Sequence, residues 1–254
     1  VLARASDVVD FYKNFIESRL AVGRAGMIEA MHLDAPLLES GDHLTQADYH
    51  RRYCATPDEF RAELIYGIVY VSPRRTALHA QRKALVAGWL GTYHIATPGT
   101  IGLGSTTILL PPDSEPEPDA SLLIESACGG ESHEEGGYLA SAPELIVEVA
   151  SSSVSYDLHS KFRLYEQAGV KEYIVVVLRE EQVRWFAANE QGKLAEVAAD
   201  DDGIFRSRVF PGLWLNANAL LFDRGADLLA TLQAGLATAE HAAFIETLHA
   251  KRGG

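Results

Sequence analysis

The chain has 254 residues, 47% of them hydrophobic, and a formal net charge of −13. This length suits one substantial core with an appended helical piece. The acidity argues against binding nucleic acid through bulk electrostatics, and no apolar run approaches the roughly 20 residues that span a bilayer. The two cysteines, Cys54 and Cys128, lie far apart in sequence and indicate neither a zinc site nor a disulfide framework. We therefore expect a cytoplasmic protein without a membrane segment.

The first half of the chain shows one clear hairpin and several helices. Apolar residues at helical spacing predict a helix near the N-terminus, over residues 7–31. Thr45 is a suitable N-cap for a short helix from Gln46 to Tyr53. Residues 63–71 predict a hairpin that turns at Tyr66-Gly67, and an apolar stripe predicts a long helix over residues 76–94.

The second half alternates strands and helices. A strand is predicted over residues 118–124, and the near-continuous apolar run of residues 144–150 predicts a strand buried on both faces. Asp157 is predicted to cap a helix over residues 158–168, which Gly169 would end. The next apolar run predicts another strand, residues 173–178. Strand, helix and strand in succession form a βαβ unit and predict a parallel pairing.

These elements predict an α/β fold with a mixed sheet and helical termini. We expect three segments: an N-terminal helical extension over residues 1–43, a central domain over residues 44–222, and a C-terminal helical tail over residues 223–254. The terminal helices are suited to covering a sheet edge or to mediating dimerisation.

Two acids stand among buried-strand residues, Asp119 at the start of one predicted strand and Glu148 inside the next. A carboxylate in apolar surroundings is costly unless a cation meets it. If the two strands are neighbours, the carboxylates can share Mg²⁺ or Mn²⁺, which prefer hard oxygen ligands. Lys161, near the start of the following helix, is suited to orienting a water or neutralising a phosphate. The pattern predicts a site that cleaves phosphodiesters.

Five segments together resemble one family. They read ELIYGIVYVSP (63–73), the helix opened by His79, PEPDASLLI (116–124), APELIVEVASSSVSYDLHSKFRLYEQAGVKEYIVVV (142–177) and FPGLWLNANALLF (210–222). The chain thus resembles the Uma family of restriction-endonuclease-like proteins, within the PD-(D/E)XK nuclease-like superfamily, over roughly residues 44–222. The resemblance implies a restriction-endonuclease-like core, a central mixed sheet flanked by helices, a Mg²⁺-type site and a nuclease role.

One position departs from the superfamily pattern. The usual lysine two residues after the glutamate is replaced here by Ala150. The resemblance implies that Asp119 and Glu148 bind the metal and that Lys161 is the displaced lysine. Glu63 matches the start of the family pattern and is a weaker candidate, and His79 is weaker again.

Alternative interpretations stay open for each residue. Glu148 can form a structural ion pair with Lys161 or an arginine, Glu63 can pair with an arginine, and His79 can serve in capping or packing. The leading hypothesis is a Mg²⁺- or Mn²⁺-dependent endonuclease that acts on DNA as a homodimer, since cutting two strands often requires two sites. The alternative is a catalytically inactive nuclease-fold module that binds nucleic acid or protein.

Overall fold

A computed structural model describes residues 37–73, 76–151 and 153–253. The helices are α1 Gln46–Tyr53, α2 Ala77–Ala96, α3 Val154–Tyr156, α4 Phe162–Ala168, α5 Ala217–Leu221, α6 Gly225–Leu236 and α7 Ala239–Arg252, with a 3₁₀ turn Ser126–Cys128 and a π-helical turn Asp157–Lys161. The strands are β1 Ala62–Ile65, β2 Ile68–Val71, β3 Thr100–Leu103, β4 Ile108–Leu109, β5 Ala120–Ile124, β6 His133–Glu135, β7 Tyr138–Ala140, β8 Leu145–Ala150, β9 Glu172–Val177, β10 Gln182–Ala188, β11 Leu194–Val197, β12 Ile204–Arg206 and β13 Trp214–Asn216.

The chain divides into two compact units. So far as their residues are described, the first comprises Val1–Arg74, Thr107–Glu117 and Glu134–Ala140. The second comprises Arg75–Thr106, Pro118–His133 and Ser141–Gly254. The predicted N-terminal helical extension falls mainly outside the described residues, and the predicted segment boundaries stay predictions.

The first unit is built on α1 and the β1–β2 hairpin. Thr45 caps α1 by accepting a hydrogen bond from the Asp48 amide, as the sequence predicts. Tyr66 and Gly67 both have positive φ, 51° and 73°, which is the backbone that a tight two-residue hairpin turn requires. The predicted hairpin and its turn are confirmed.

The second unit contains a six-stranded mixed sheet in the order β11–β10–β9–β8–β5–β3. The β8–β9 pair is parallel, and the other neighbouring pairs are antiparallel. The βαβ prediction and the mixed α/β fold class are therefore confirmed. Helix α2 packs its apolar residues against one face of the sheet, where Val147 and Val149 join Trp89 in the core. Because side chains alternate along a strand, Glu148 points to the other face.

Two helices, α6 and α7, occupy the C-terminal tail, so its predicted helical character is confirmed. Thr238 caps α7 through a hydrogen bond from the His241 amide. Within the described residues, every helix is too short or too polar to cross a membrane.

The first residue of β9, Glu172, is a buried acid in the second unit. Its carboxylate accepts hydrogen bonds from the Ser207 hydroxyl and the Arg208 amide. Burial outweighs these bonds and raises the pKa of Glu172 from 4.5 to about 7. Between about pH 4.5 and pH 7, Glu172 is therefore protonated in the folded protein and ionised in the unfolded chain.

The raised pKa of Glu172 predicts a pH-dependent contribution to the free energy of unfolding. Because the pKa of Glu172 is higher in the folded protein, its protonation stabilises the fold. This stabilisation is complete below about pH 4.5 and is lost as the pH rises through about 7. Relative to Glu172→Gln, the wild type should lose about 3 kcal/mol of unfolding free energy across that window. Urea unfolding of both proteins at several pH values measures the difference, and parallel pH profiles would contradict the assignment.

Candidate functional site

The core of the candidate site is a buried ion pair in the second unit. Lys161 Nζ lies 2.8 Å from Glu148 Oε1, and the two side chains are 4% and 6% exposed. The Tyr165 hydroxyl donates a second hydrogen bond to the same oxygen, at 3.0 Å. Lys161 and Tyr165 are four residues apart, so they lie on one face of the helical segment that follows β8.

Asp119 immediately precedes β5, the antiparallel neighbour of β8. The ladder pairs Ala120 with Val147, so continuing the register by one residue places Asp119 beside Glu148. Asp119 Oδ2 accepts a hydrogen bond of 2.9 Å from the Val149 amide. The carboxylate therefore stands where a backbone carbonyl would otherwise continue the ladder.

Helix α2 supplies two basic side chains to Asp119. Lys83 Nζ lies 2.8 Å from Asp119 Oδ1, and His79 Nε2 lies 3.6 Å from the same oxygen. Burial alone raises the pKa of Asp119, but the contacts with His79, Lys83 and the Val149 amide outweigh it. They hold the pKa well below its usual range, so this carboxylate is ionised at neutral pH.

Asp157 is a third acid in this region, and its predicted role was wrong. Helical structure begins before it, at Val154, and Asp157 opens the π-helical turn instead of capping a helix. Its carboxylate accepts a hydrogen bond from the Ser153 hydroxyl at 2.6 Å and lies 3.9 Å from Lys161 Nζ. Burial raises its pKa, the Lys161 charge opposes that rise, and the Asp119 charge adds to it.

Glu63 lies in the first unit, on β1. Its Oε1 accepts a hydrogen bond from the Glu117 amide at 2.6 Å, within the same unit. The role proposed for Glu63 in the site stays a prediction.

Three side chains at the site were missed or underrated by sequence reasoning: Lys83, Tyr165 and Asp157. Lys83 follows His79 by four residues on α2, and this spacing was the one available signal that the two act together. The sequence gives no indication that this face of α2 meets the start of β5.

Two carboxylates and one imidazole are the side chains here that could hold a divalent cation. Asp119 and Glu148 offer carboxylate oxygens, and the buried His79 Nε2 has no hydrogen-bond partner while facing Asp119. The lysines already hold one oxygen of each carboxylate, so a cation would compete with Lys83 and Lys161. Among the described residues, no group of three or more histidine, cysteine or acidic side chains forms a ready metal cluster.

The comparisons with known proteins bear on family and on fold separately. The family model Uma2, described as "Putative restriction endonuclease", matches residues 46–218. The chain is also similar to the crystal structure of "a putative nuclease belonging to DUF820" from Anabaena variabilis, with 15% identity and a TM-score of 0.50. That match covers 71% of this chain and 97% of the other. No protein of curated function matches the chain.

Proposed function

Because the chain belongs to the Uma2 family, we propose that it is a Mg²⁺- or Mn²⁺-dependent nuclease that hydrolyses phosphodiester bonds in DNA. The observation that carries the proposal is the buried Lys161–Glu148 pair, with Lys161 Nζ 2.8 Å from Glu148 Oε1 and Asp119 beside Glu148 when the β5–β8 register is continued by one residue. The Ala150 departure is consistent with this proposal, because the ammonium group reaches the glutamate from the next helical segment instead.

Asp119 and Glu148 are the residues that would hold the cation, with His79 as the adjacent nitrogen donor. A bound Mg²⁺ or Mn²⁺ would lower the pKa of a water and polarise a phosphoryl oxygen. Lys161 would stabilise the negative charge that develops on the phosphate. Tyr165 would hold Glu148 in place through its hydrogen bond, which fixes the carboxylate without neutralising it.

Lys83 would keep Asp119 ionised in its buried position. An ammonium 2.8 Å from Asp119 Oδ1 offsets the burial that would otherwise favour the protonated, weakly coordinating acid. A cytoplasmic location and a homodimer complete the proposal.

The proposal predicts a cation-dependent activity that requires Asp119. Purified protein should nick or linearise supercoiled plasmid DNA with Mg²⁺ or Mn²⁺ and not with excess chelator. Asp119→Asn should lower the rate by at least about 10²-fold, measured by gel densitometry. Asp201→Asn, which changes an exposed acid of the same unit, should cut normally.

Cleavage by wild type, Asp119→Asn and Asp201→Asn at equal rates would remove Asp119 from the mechanism. Cleavage that persists in chelator would contradict the metal requirement.

A second candidate function, an inactive nuclease-fold module, is favoured by one specific observation. Each carboxylate is already neutralised by a lysine, Asp119 by Lys83 and Glu148 by Lys161, at 2.8 Å in both cases. Calorimetric titration with Mn²⁺ separates the two candidates. The metal-dependent nuclease predicts a saturable binding heat that Asp119→Asn abolishes, whereas the inactive module predicts no saturable heat.

A further inference from the structure

A second cluster of reactive side chains lies in the first unit and takes no part in the proposed nuclease chemistry. Cys54 Sγ lies 3.5 Å from His50 Nε2, and His50 Nδ1 lies 2.9 Å from Glu115 Oε2. The Tyr138 hydroxyl is 3.4 Å from the same sulfur. A nucleophile in contact with a base that a carboxylate orients is the arrangement of activated-nucleophile sites.

Local structure fixes this arrangement. His50 lies on α1 and Cys54 is its C-cap residue, four positions later, so both side chains lie on one side of the helix. Glu115 is held by backbone hydrogen bonds with Leu64 in both directions. The Tyr138 ring packs edge-on against the His50 ring, with centroids 4.8 Å apart.

The burial pattern suits a reactive thiol. The side chains of His50 and Glu115 are 2% and 0% exposed, whereas Cys54 is only half-buried. Cys54 is thus partly exposed, while the ion pair that supports it is buried.

We propose that Cys54 is a nucleophilic thiolate, activated by His50 and Glu115, and a site of covalent modification by hydroperoxides. An imidazolium beside a cysteine favours the thiolate, which is the reactive form. Burial lowers the pKa of His50, but its hydrogen bonds to Cys54 and Glu115 prevail and raise it to about 9. The ring is therefore protonated at neutral pH.

One effect opposes the thiolate. The C-terminal end of a helix is electronegative, and Cys54 caps α1. The partial charge of an eight-residue helix is smaller than the full imidazolium charge at 3.5 Å, so the net effect of the two charges favours the thiolate.

Tyr138 and Tyr49 also face the cluster. Burial, then the charges of Tyr53 and Glu115, raise the pKa of Tyr49, which keeps this phenol neutral.

The modification step balances as a two-electron oxidation. The thiolate sulfur attacks the terminal oxygen of the hydroperoxide, an S–O bond forms and the O–O bond breaks. The leaving alkoxide or hydroxide takes a proton from the His50 imidazolium and departs as an alcohol or water. The sulfur is oxidised to a sulfenic acid and the peroxide is reduced.

The pH dependence of alkylation tests the thiolate directly. The Cys128→Ser protein, which lacks the one buried cysteine, is treated with iodoacetamide between about pH 6 and pH 8, and labelling of Cys54 is followed by mass spectrometry. We expect the rate to change less than about threefold over this range, whereas an ordinary thiol loses about tenfold per pH unit below its pKa of about 8.5. A tenfold loss per unit would overturn the proposal.

Two variants assign the effect to the cluster. Glu115→Gln keeps the shape of the carboxylate and should restore the steep pH profile of an ordinary thiol, while Cys54→Ser should abolish labelling. If Glu115→Gln does not fold, His50→Gln replaces it in the same comparison. A flat profile in a folded variant of either residue would show that the pair does not activate the sulfur.

The hydroperoxide step has its own readout. Stoichiometric hydrogen peroxide followed by dimedone should add one dimedone to Cys54 in the wild-type protein, and none to Cys128, whose side chain is buried. Absence of the adduct at Cys54 would refute the oxidation step. None of these measurements depends on DNA cleavage, so this proposal and the proposed function can fail separately.

Discussion

Glu148→Gln is expected to reduce cation-dependent DNA cleavage by at least about 10²-fold. Glutamine keeps the shape of the side chain and an oxygen that can accept the Tyr165 hydroxyl. It removes the negative charge that a divalent cation requires of its ligand. Cleavage rates on supercoiled plasmid DNA, measured with saturating Mn²⁺, give the ratio.

The control for Glu148→Gln is Glu180→Gln, which makes the same change at an exposed acid of the second unit. It should cut at the wild-type rate. Circular dichroism and thermal unfolding establish that Glu148→Gln is folded before its rate is interpreted. A folded Glu148→Gln protein that cuts like Glu180→Gln would exclude Glu148 from the mechanism.

Lys161→Met should lower the free energy of unfolding by about 3–5 kcal/mol near neutral pH, because it leaves a buried carboxylate without its cation. Glu148 is 6% exposed in this pair, so water cannot replace the ammonium group. The double variant Glu148→Gln/Lys161→Met removes both charges and should recover most of the loss. Urea unfolding monitored by circular dichroism measures all three proteins.

A surface pair provides the matched comparison for Lys161→Met. Lys193 lies 2.9 Å from Glu166, the same kind of contact, but its side chain is 67% exposed. Lys193→Met should change the free energy of unfolding by less than about 1 kcal/mol. If Lys161→Met is as mild as Lys193→Met, the Lys161–Glu148 pair does not form as described.

Much of the second unit is readable from sequence because burial leaves a strong pattern. The run over residues 144–150, which contains Glu148, is otherwise apolar on both faces, as a central strand must be, and the helix and strand after it dictate a parallel pairing. The acids Asp119 and Glu148 were visible because charge is rare in such runs. Hairpin and cap residues such as Gly67 and Thr45 carry local backbone requirements that need no tertiary context.

The site itself was less predictable, for two physical reasons. The π-helical turn that carries Asp157 and Lys161 differs from an α-helix in its hydrogen-bond spacing, and sequence patterns do not distinguish the two. The contact between Lys83 and Asp119 depends on which strand α2 packs against, a long-range property that helical periodicity cannot supply. The Cys54–His50–Glu115 cluster was missed because its acid lies more than sixty residues along the chain from its histidine.

A manganese soak of protein crystals tests the central claim most directly. Anomalous diffraction should show one Mn²⁺ bound by carboxylate oxygens of both Asp119 and Glu148, at distances of about 2.0–2.6 Å. Lys83 and Lys161 should have moved away from the coordinated oxygens. Anomalous maps with no peak at these carboxylates, at manganese concentrations that support cleavage, would contradict a shared metal site.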